Sequence, residues 1–293
     1  NLDDVMNPEF IIADETQLYV SEGTSVYIYS MKDFKLIRKF GKKGEGPREF
    51  IGKVQRIVPA SDYILVNSQG KISFFKKNGQ FIREHKTSIN SSLGNYFPLD
   101  KGYVGGVLSV ENRKLFSSVM FFDQQMNKGK TITKFPAGMP GKLDIFGMIR
   151  AVMFYVHKDR VYALNTEGQV SIYDANGREI HKLPLLKEKT KFTSAHETEI
   201  RKLMKKEMGV QQYEVAKNFF TFPKYFPELM TLFVEKGRVY LITFQRDQAN
   251  YTTFIYSTEG KRIKQTTLHL KLRDGIRPYP FFIKDASLYQ LIE

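Results

Sequence analysis

Five times along the chain an apolar–any–apolar–aromatic quartet is followed by a polar turn and a second short strand-like run. The quartets are VYIY at 26, ISFF at 72, VMFF at 119, VSIY at 170 and TFIY at 253, with threonine in first place in the last. The runs that follow are MKDFKLIRKF, KKNGQFIREH, DQQMNKGKTITKF, DANGREIHKL and STEGKRIKQTTL, and a partner run such as YILVNSQG or VYALNTEG precedes each quartet. Short apolar and aromatic runs bounded by turn residues predict β-strands. Asn78-Gly79, Asn176-Gly177 and Glu259-Gly260 sit in the turns, where glycine supplies the positive φ that a tight hairpin needs. The pattern predicts antiparallel hairpins in series.

Successive quartets are 46, 47, 51 and 83 residues apart. A period in the high forties with about four short strands per unit is the signature of a β-propeller blade. The 83-residue interval holds an insertion over about 187–222. There Ser194 with Glu197 reads as a capping box, and Ile200, Leu203, Met204 and Met208 follow at helical spacing. A second short helix is expected from Gln211 to Phe219. A sixth unit begins near Pro280 with FFIKDASLYQLIE, and its third and fourth strands would start near residue 296, whereas the sequence stops at Glu293. The expectation is an all-β, six-bladed propeller spanning 1–293, with a helical insertion between blades 4 and 5. Its sixth blade is completed by residues past 293 or by another strand, since an open blade exposes sheet edges.

Composition narrows the function classes. Hydrophobic residues make up 42% and charged residues 26% of the 293, which excludes a disordered chain, and no apolar run approaches the roughly 18 residues of a membrane span. Zero cysteines exclude disulfides, thiolate metal sites and cysteine nucleophiles. The 45 basic residues against 31 acidic ones give +14, which favours anionic partners or serves solubility, because the lysines are scattered. The first residue is Asn1, so any targeting segment lies outside the sequence.

Residues 40–50, FGKKGEGPREF, resemble the glycine-rich link FG-x-x-G-x-G-P-x-x-F that joins blades in NHL-like repeats. The wider arrangement resembles the bacterial six-bladed propellers of the NHL and TolB-like superfamily, although later links such as KFPAGMPGK at 134–142 depart from the motif. That resemblance implies an extracytoplasmic bacterial protein and a fold, not a reaction: the superfamily holds interaction modules, nucleic-acid binders, lactonases and lyases. Gly41, Gly44 and Gly46 with Lys42 and Lys43 are the components of a phosphate-cradling loop. Neither a Walker nor a dinucleotide pattern surrounds them, so they read as a tight crossing between blades.

Catalysis finds little support. The histidines, His85, His157, His181, His196 and His269, form no HxH or HxxxH pair, and His85, His181 and His269 fall on outer strands. Glu9, Asn95 and Glu228 lie near inner-strand starts and are the residues on which an axial ion of the lactonase type would draw. There is no GxSxG elbow. No catalytic residue, metal ligand or cofactor is assigned.

A binding face fares better. Segments entering the inner strands line one mouth of a propeller channel, and they carry Arg56 (VQRIV), Asn95 (GNYF), Arg150 (MIRAV), Lys224 (FPKYF) and Arg277 (IRPYP), with Tyr225 and Tyr279 among the accompanying aromatics. Cations beside flat rings suit carboxylate, phosphate or acidic-sugar ligands. The alternative is that these residues point into blade interfaces or pair with Glu9, Glu49 and Glu228. The aromatic segment FFTFPKYFPELM, 219–230, reads either as a docking lid or as a seal. The functional expectation is a monomeric, non-catalytic propeller that binds a protein, peptide or glycan, with a metal-dependent lactonase or lyase and an NHL-type nucleic-acid binder as alternatives.

Overall fold

The computed structural model describes residues 2, 4–87, 92–139, 141–184 and 189–292. The first residues of the expected insertion, 187 and 188, and the terminal residues Asn1 and Glu293 lie outside that set. The fold is all-β, built from antiparallel meanders. The first sheet contains β1 (Phe10–Ala13), β2 (Gln17–Glu22), β3 (Ser25–Ser30) and β4 (Leu36–Phe40). A link carrying β5 (Lys42–Lys43) and β6 (Glu49–Phe50) leads to the second, β7 (Val54–Pro59), β8 (Tyr63–Ser68), β9 (Lys71–Lys76) and β10 (Phe81–Lys86). The third has six strands in the order β11 (Ser92–Leu99), β12 (Gly102–Glu111), β13 (Lys114–Phe122), β14 (Lys128–Met139), β15 (Lys142–Asp144) and β20 (Phe220–Thr221).

After α1 (Ile145–Arg150) comes the fourth sheet, β16 (Phe154–His157), β17 (Arg160–Leu164), β18 (Val170–Tyr173) and β19 (Glu179–Lys182). Helices α2 (Ser194–Met208) and α3 (Val210–Ala216) precede the fifth, β21 (Thr231–Glu235), β22 (Arg238–Asp247), β23 (Asn250–Ser257) and β24 (Arg262–His269). A hairpin of β25 (Phe281–Lys284) and β26 (Ser287–Gln290) ends the chain. Two compact units divide it: one of residues 1–106, 121–129 and 279–293, the other of 107–120 and 130–278. No described helix is long and apolar enough to cross a membrane.

Burial explains why the quartets repeat. The second and third strands of a sheet are buried along almost their whole length, as in β2 and β3 or β17 and β18, whereas the fourth strands β4 and β19 are exposed. In the first unit one core joins two sheets: Tyr19, Val26 and Ile28 of the first pack with Ile57, Ile64, Val66 and Phe75 of the second, around Phe50 of the link. The turn glycines take their expected backbone, with φ of 82° at Gly79, 70° at Gly177 and 88° at Gly260.

The link holds its own anion. Gly46 N–H donates to Glu49 Oε2 at 3.0 Å, and Lys42 Nζ pairs with Oε1 at 3.0 Å. The Lys42 pair and the Gly46 bond hold the Glu49 carboxyl below its usual range. At Gly44, with φ of 153°, a side chain would collide with that carboxylate. The glycines therefore serve a tight crossing, and the space a phosphate needs is taken by Glu49. Beneath the loop, Lys71 is 4% exposed, with Nζ donating to Gly46 O at 2.9 Å and paired with Glu84 at 3.0 Å.

The helices refine the expected boundaries. α2 covers Ser194–Met208, but its cap is Thr193, whose hydroxyl accepts from His196 N–H while the His196 ring accepts from the Thr193 amide. The box is thus Thr193/His196 and not Ser194/Glu197. α3 stops at Ala216, and Phe220–Thr221 instead joins β15 as a parallel strand.

Two outcomes test this packing. Replacing Glu84 by Gln leaves the Lys71 charge buried without its carboxylate, which should cost about 3 kcal/mol in chemical denaturation, whereas Lys71→Met should cost less. The second concerns Asp14. Burial raises its carboxyl pKa, but hydrogen bonds from Lys77, Thr16, Tyr19 and Gln17 outweigh that and lower it overall. A depressed folded-state pKa contributes stability above the unfolded value of 3.8 that is lost as pH falls through the folded one. Unfolding titrations below pH 4 should therefore show a shallower acid loss in Asp14→Asn than in the wild type.

Candidate functional site

The seven residues expected at one mouth fall in both compact units. In the first unit, Arg56 on β7 lies 5.3 Å from the ring centres of both Phe10 and Phe97, a packed cation–π position. Asn95 is buried at 3% exposure. Beside it Asn67 substitutes for a strand partner: its side chain accepts from Tyr96 N–H at 2.9 Å and donates to Tyr96 O at 3.1 Å. Tyr279 offers its carbonyl to the Gln290 side chain at 3.2 Å.

In the second unit, Arg150 is the last residue of α1, so MIRAV does not run directly into a strand. Asp144 caps that helix by accepting from Phe146 N–H at 3.0 Å. Arg150 pairs with Glu228 at 3.6 Å, a partner that the alternative reading had named. Arg277 pairs with Asp274 at 3.0 Å and with Glu207 of α2 at 2.9 Å. Burial raises the Asp274 carboxyl pKa, and the backbone and side-chain bonds from Arg277 bring it below its usual value. Both arginines thus have acidic partners, as one of the two readings of these cations requires.

Lys224 and Tyr225 differ. The segments 190–192 and 224–226 form a two-stranded clip with Lys191 opposite Tyr225: Phe192 N–H donates to Lys224 O and Phe226 N–H to Thr190 O, each at 2.9 Å. Alternation sends Phe192 and Phe226 inward, at 8% and 5% exposure. There they join Phe146 of α1 and Ile200 of α2, with Phe222 and Phe244 packed alongside, and Phe226 stacks on Phe244 at 4.5 Å between ring centres. Outward stand Lys189, Lys191, Lys224 and Tyr225, all exposed. The Lys189 and Lys224 ammonium groups lie 5.9 and 5.5 Å from the centre of the Tyr225 ring. None of the three lysines has a carboxylate partner among the described residues.

This ledge places two ammonium groups beside one aromatic ring, with Lys191 across the strand pair from it, on a base fixed by a phenylalanine core. Opposed residues at a pair of this kind come within about 4.5 Å at Cα, so Lys191 and Tyr225 share one face. The aromatic segment 219–230 is thus divided between the two roles considered for it: Phe222 and Phe226 seal, while Phe219 and Tyr225 remain exposed. Charge is divided unequally as well. The unit that carries the ledge holds 28 lysines and arginines against 16 acids, so 28 − 16 = +12 of the net +14 belongs to it. Sequence reasoning found Lys224 and Tyr225 but missed Lys189 and Lys191. The available signal was the alternation of lysines in KEKTK facing that of FPKYF.

His85, His181 and His269 lie on β10, β19 and β24, the fourth strands of three different sheets. Among the described residues no group of three or more His, Asp or Glu side chains is placed to share a metal ion. Two apolar hollows are open. One in the first unit, about 760 Å³, is lined by Met6, Ile11, Phe34, Phe282, Tyr289 and Ile292 among others. The other, about 410 Å³, lies in the second unit against β12–β15.

No family model and no curated protein sequence matches the chain. Solved structures that it resembles include Kluyveromyces lactis Hsv2, with 12% identity and a TM-score of 0.42 over 88% of this chain and 61% of that one. The AfRom2 CNH domain matches with 8% identity and a TM-score of 0.43, over 98% and 78%. The Neurospora crassa Pan2 WD40 domain matches with 8% and 0.42, over 90% and 66%. The chain thus spans about three fifths of the length of that Hsv2 chain.

Structural and free cations should separate in thermal melts. Arg277→Ala, which removes two ion pairs and releases the Asp274 turn, should destabilise by about 1 kcal/mol. Lys189→Ala and Lys224→Ala should each stay within about 0.5 kcal/mol of the wild type.

Proposed function

We propose that this protein is a non-catalytic binding module that recognises an anionic protein, peptide or glycan through the ledge of Lys189, Lys191, Lys224 and Tyr225. The observation that carries this reading is the approach of exposed Lys189 and Lys224 to one exposed tyrosine ring, with exposed Lys191 paired across from it, all three without a carboxylate partner among the described residues. Like charges held together repel, and an anion that bridges them relieves the repulsion while gaining charge-assisted hydrogen bonds, each worth about 1.5–3 kcal/mol. The Tyr225 ring draws the ammonium groups over its face and so reduces the freedom they lose on binding. The +12 of the surrounding unit adds a longer-range attraction that speeds encounter at low salt.

The scaffold reading that accompanies this function is a six-bladed propeller of the NHL and TolB-like type, with the helices of 194–216 as an insertion between its fourth and fifth blades. Support comes from five successive meanders of four or more strands, a sixth hairpin at β25–β26, and the link motif of residues 40–50 in its expected place between the first two sheets.

Calorimetric titration of the full chain with a hexamer of galacturonic acid and with hexaglutamate tests the reading. The wild type should bind at least one of them. The combined change Lys189→Ala, Lys191→Ala and Lys224→Ala should weaken binding at least tenfold with an unchanged melting temperature, and Tyr225→Phe should bind better than Tyr225→Leu. Equal affinity of the triple variant and the wild type would remove the ledge from the function.

A further inference from the structure

The second unit carries an apolar hollow that the ledge does not use. Its walls are Val110 and Leu115 from β12 and β13, Met139 at the end of β14, Lys142 and Leu143 of β15, and Phe219. Val110 is 67% exposed, Met139 55% and Phe219 47%. Scattered exposed apolar residues need no explanation, but three of them around one depression form a continuous patch, and such patches mark interaction sites.

The hollow is built on sheet. Met139 pairs with Lys142, and Gly138 with Leu143, across the β14–β15 turn. Leu143 pairs in turn with Phe220 in the parallel register of β15 and β20, and Leu143 N–H donates to Phe219 O at 2.6 Å. The Thr221 hydroxyl adds a bond to Leu143 O at 3.1 Å. Backbone pairing holds these walls, so an occupant bears less of the cost of ordering them. A volume of about 410 Å³ has room for one or two large side chains and not for an extended ligand.

Charge names the occupant. Lys142 is the one charged residue in the lining. Arg113 and Lys114 stand between the lining residues Val110 and Leu115 in the sequence, at a turn where Asn112 and Arg113 both take positive φ. None of these three cations has an ion-pair partner among the described residues, whereas the acid beside Val110, Glu111, is neutralised by Lys134. The lining is therefore apolar but for one cation, with two further cations on the turn that joins Val110 to Leu115. A bilayer surface receives protruding apolar side chains, but here the apolar surface is concave and takes up a protrusion.

We infer that this hollow is a docking site for a bulky apolar side chain presented by a partner peptide segment whose flanking residues are aspartate or glutamate. The site is separate from the ledge, and either stands if the other fails. The test is fluorescence anisotropy of the full chain with three labelled decapeptides. One has a central phenylalanine among glutamates, the second replaces that phenylalanine by alanine, and the third replaces the glutamates by lysines.

The phenylalanine peptide should bind at least tenfold tighter than the alanine peptide, and the lysine peptide should not bind. Val110→Asp and Met139→Asp, both at exposed positions, should abolish the preference for phenylalanine with unchanged melting temperatures. Lys142→Glu should weaken the acidic peptide, and the triple lysine variant of the ledge should keep the preference. Equal binding of the phenylalanine and alanine peptides overturns the inference, as does a preference that survives Val110→Asp and Met139→Asp. So does sedimentation with vesicles of 30% phosphatidylserine that Met139→Asp abolishes while no peptide discriminates, or a concentration-dependent dimer that Met139→Asp dissolves.

Discussion

The second and third strands of the first, second and fourth sheets are buried on both faces, and the rest of the structure follows from that requirement. A strand such as β8 or β17 carries no polar face to turn to water, so its sheet needs packed residues on either side. The first and second sheets satisfy one another through Ile28, Ile57, Val66 and Phe75, and the link residue Phe50 fills the seam between them. Two polar residues admitted to this interior carry their partners with them: Asn67 bonds both ways to the backbone of Tyr96, and Lys71 reaches two carbonyls and a carboxylate. The fourth strands, freed from that demand, collect the arginines and lysines.

The proposed ledge stands where that demand lapses. The helices between the fourth and fifth sheets bury few residues of their own, Ile200 in α2 and Tyr213 in α3, and depend on the phenylalanines of neighbouring loops. Lys191 precedes Phe192 and Tyr225 precedes Phe226, so each inward ring sets where an outward residue stands. The ledge is in this sense a by-product of core packing: Phe192 and Phe226 decide where Lys191 and Tyr225 stand.

What the sequence disclosed depended on distance along the chain. Turns at Asn78-Gly79 and Asn176-Gly177 were legible because glycine at positive φ is a local requirement, and residues 194–208 were legible as a helix through their spacing. The cap was off by one because Ser194 and Thr193 are chemically alike, and only geometry shows which hydroxyl meets the free amide. Arg56, Arg150 and Arg277 looked equivalent by position in the repeat, yet one lies between two rings, one closes a helix and meets Glu228, and one ties a turn to α2. The pairing of Lys191 with Tyr225 spans 34 positions, and no local rule predicts it.

The link between the first two sheets has a consequence for how this protein can vary over generations. Glu49 needs the amide of Gly46 and the open side of Gly44, and Lys71 needs the carbonyl of Gly46 and the carboxylate of Glu84. A change at any one of these leaves a charge or a void that the others cannot absorb, so the five residues form a set that drifts together or not at all. Glu45 contributes only a backbone carbonyl to Lys71, and its side chain, like that of Arg48, stands outside the set. Among descendants of this chain, substitutions should accumulate at positions 45 and 48 long before they reach Gly44 or Gly46.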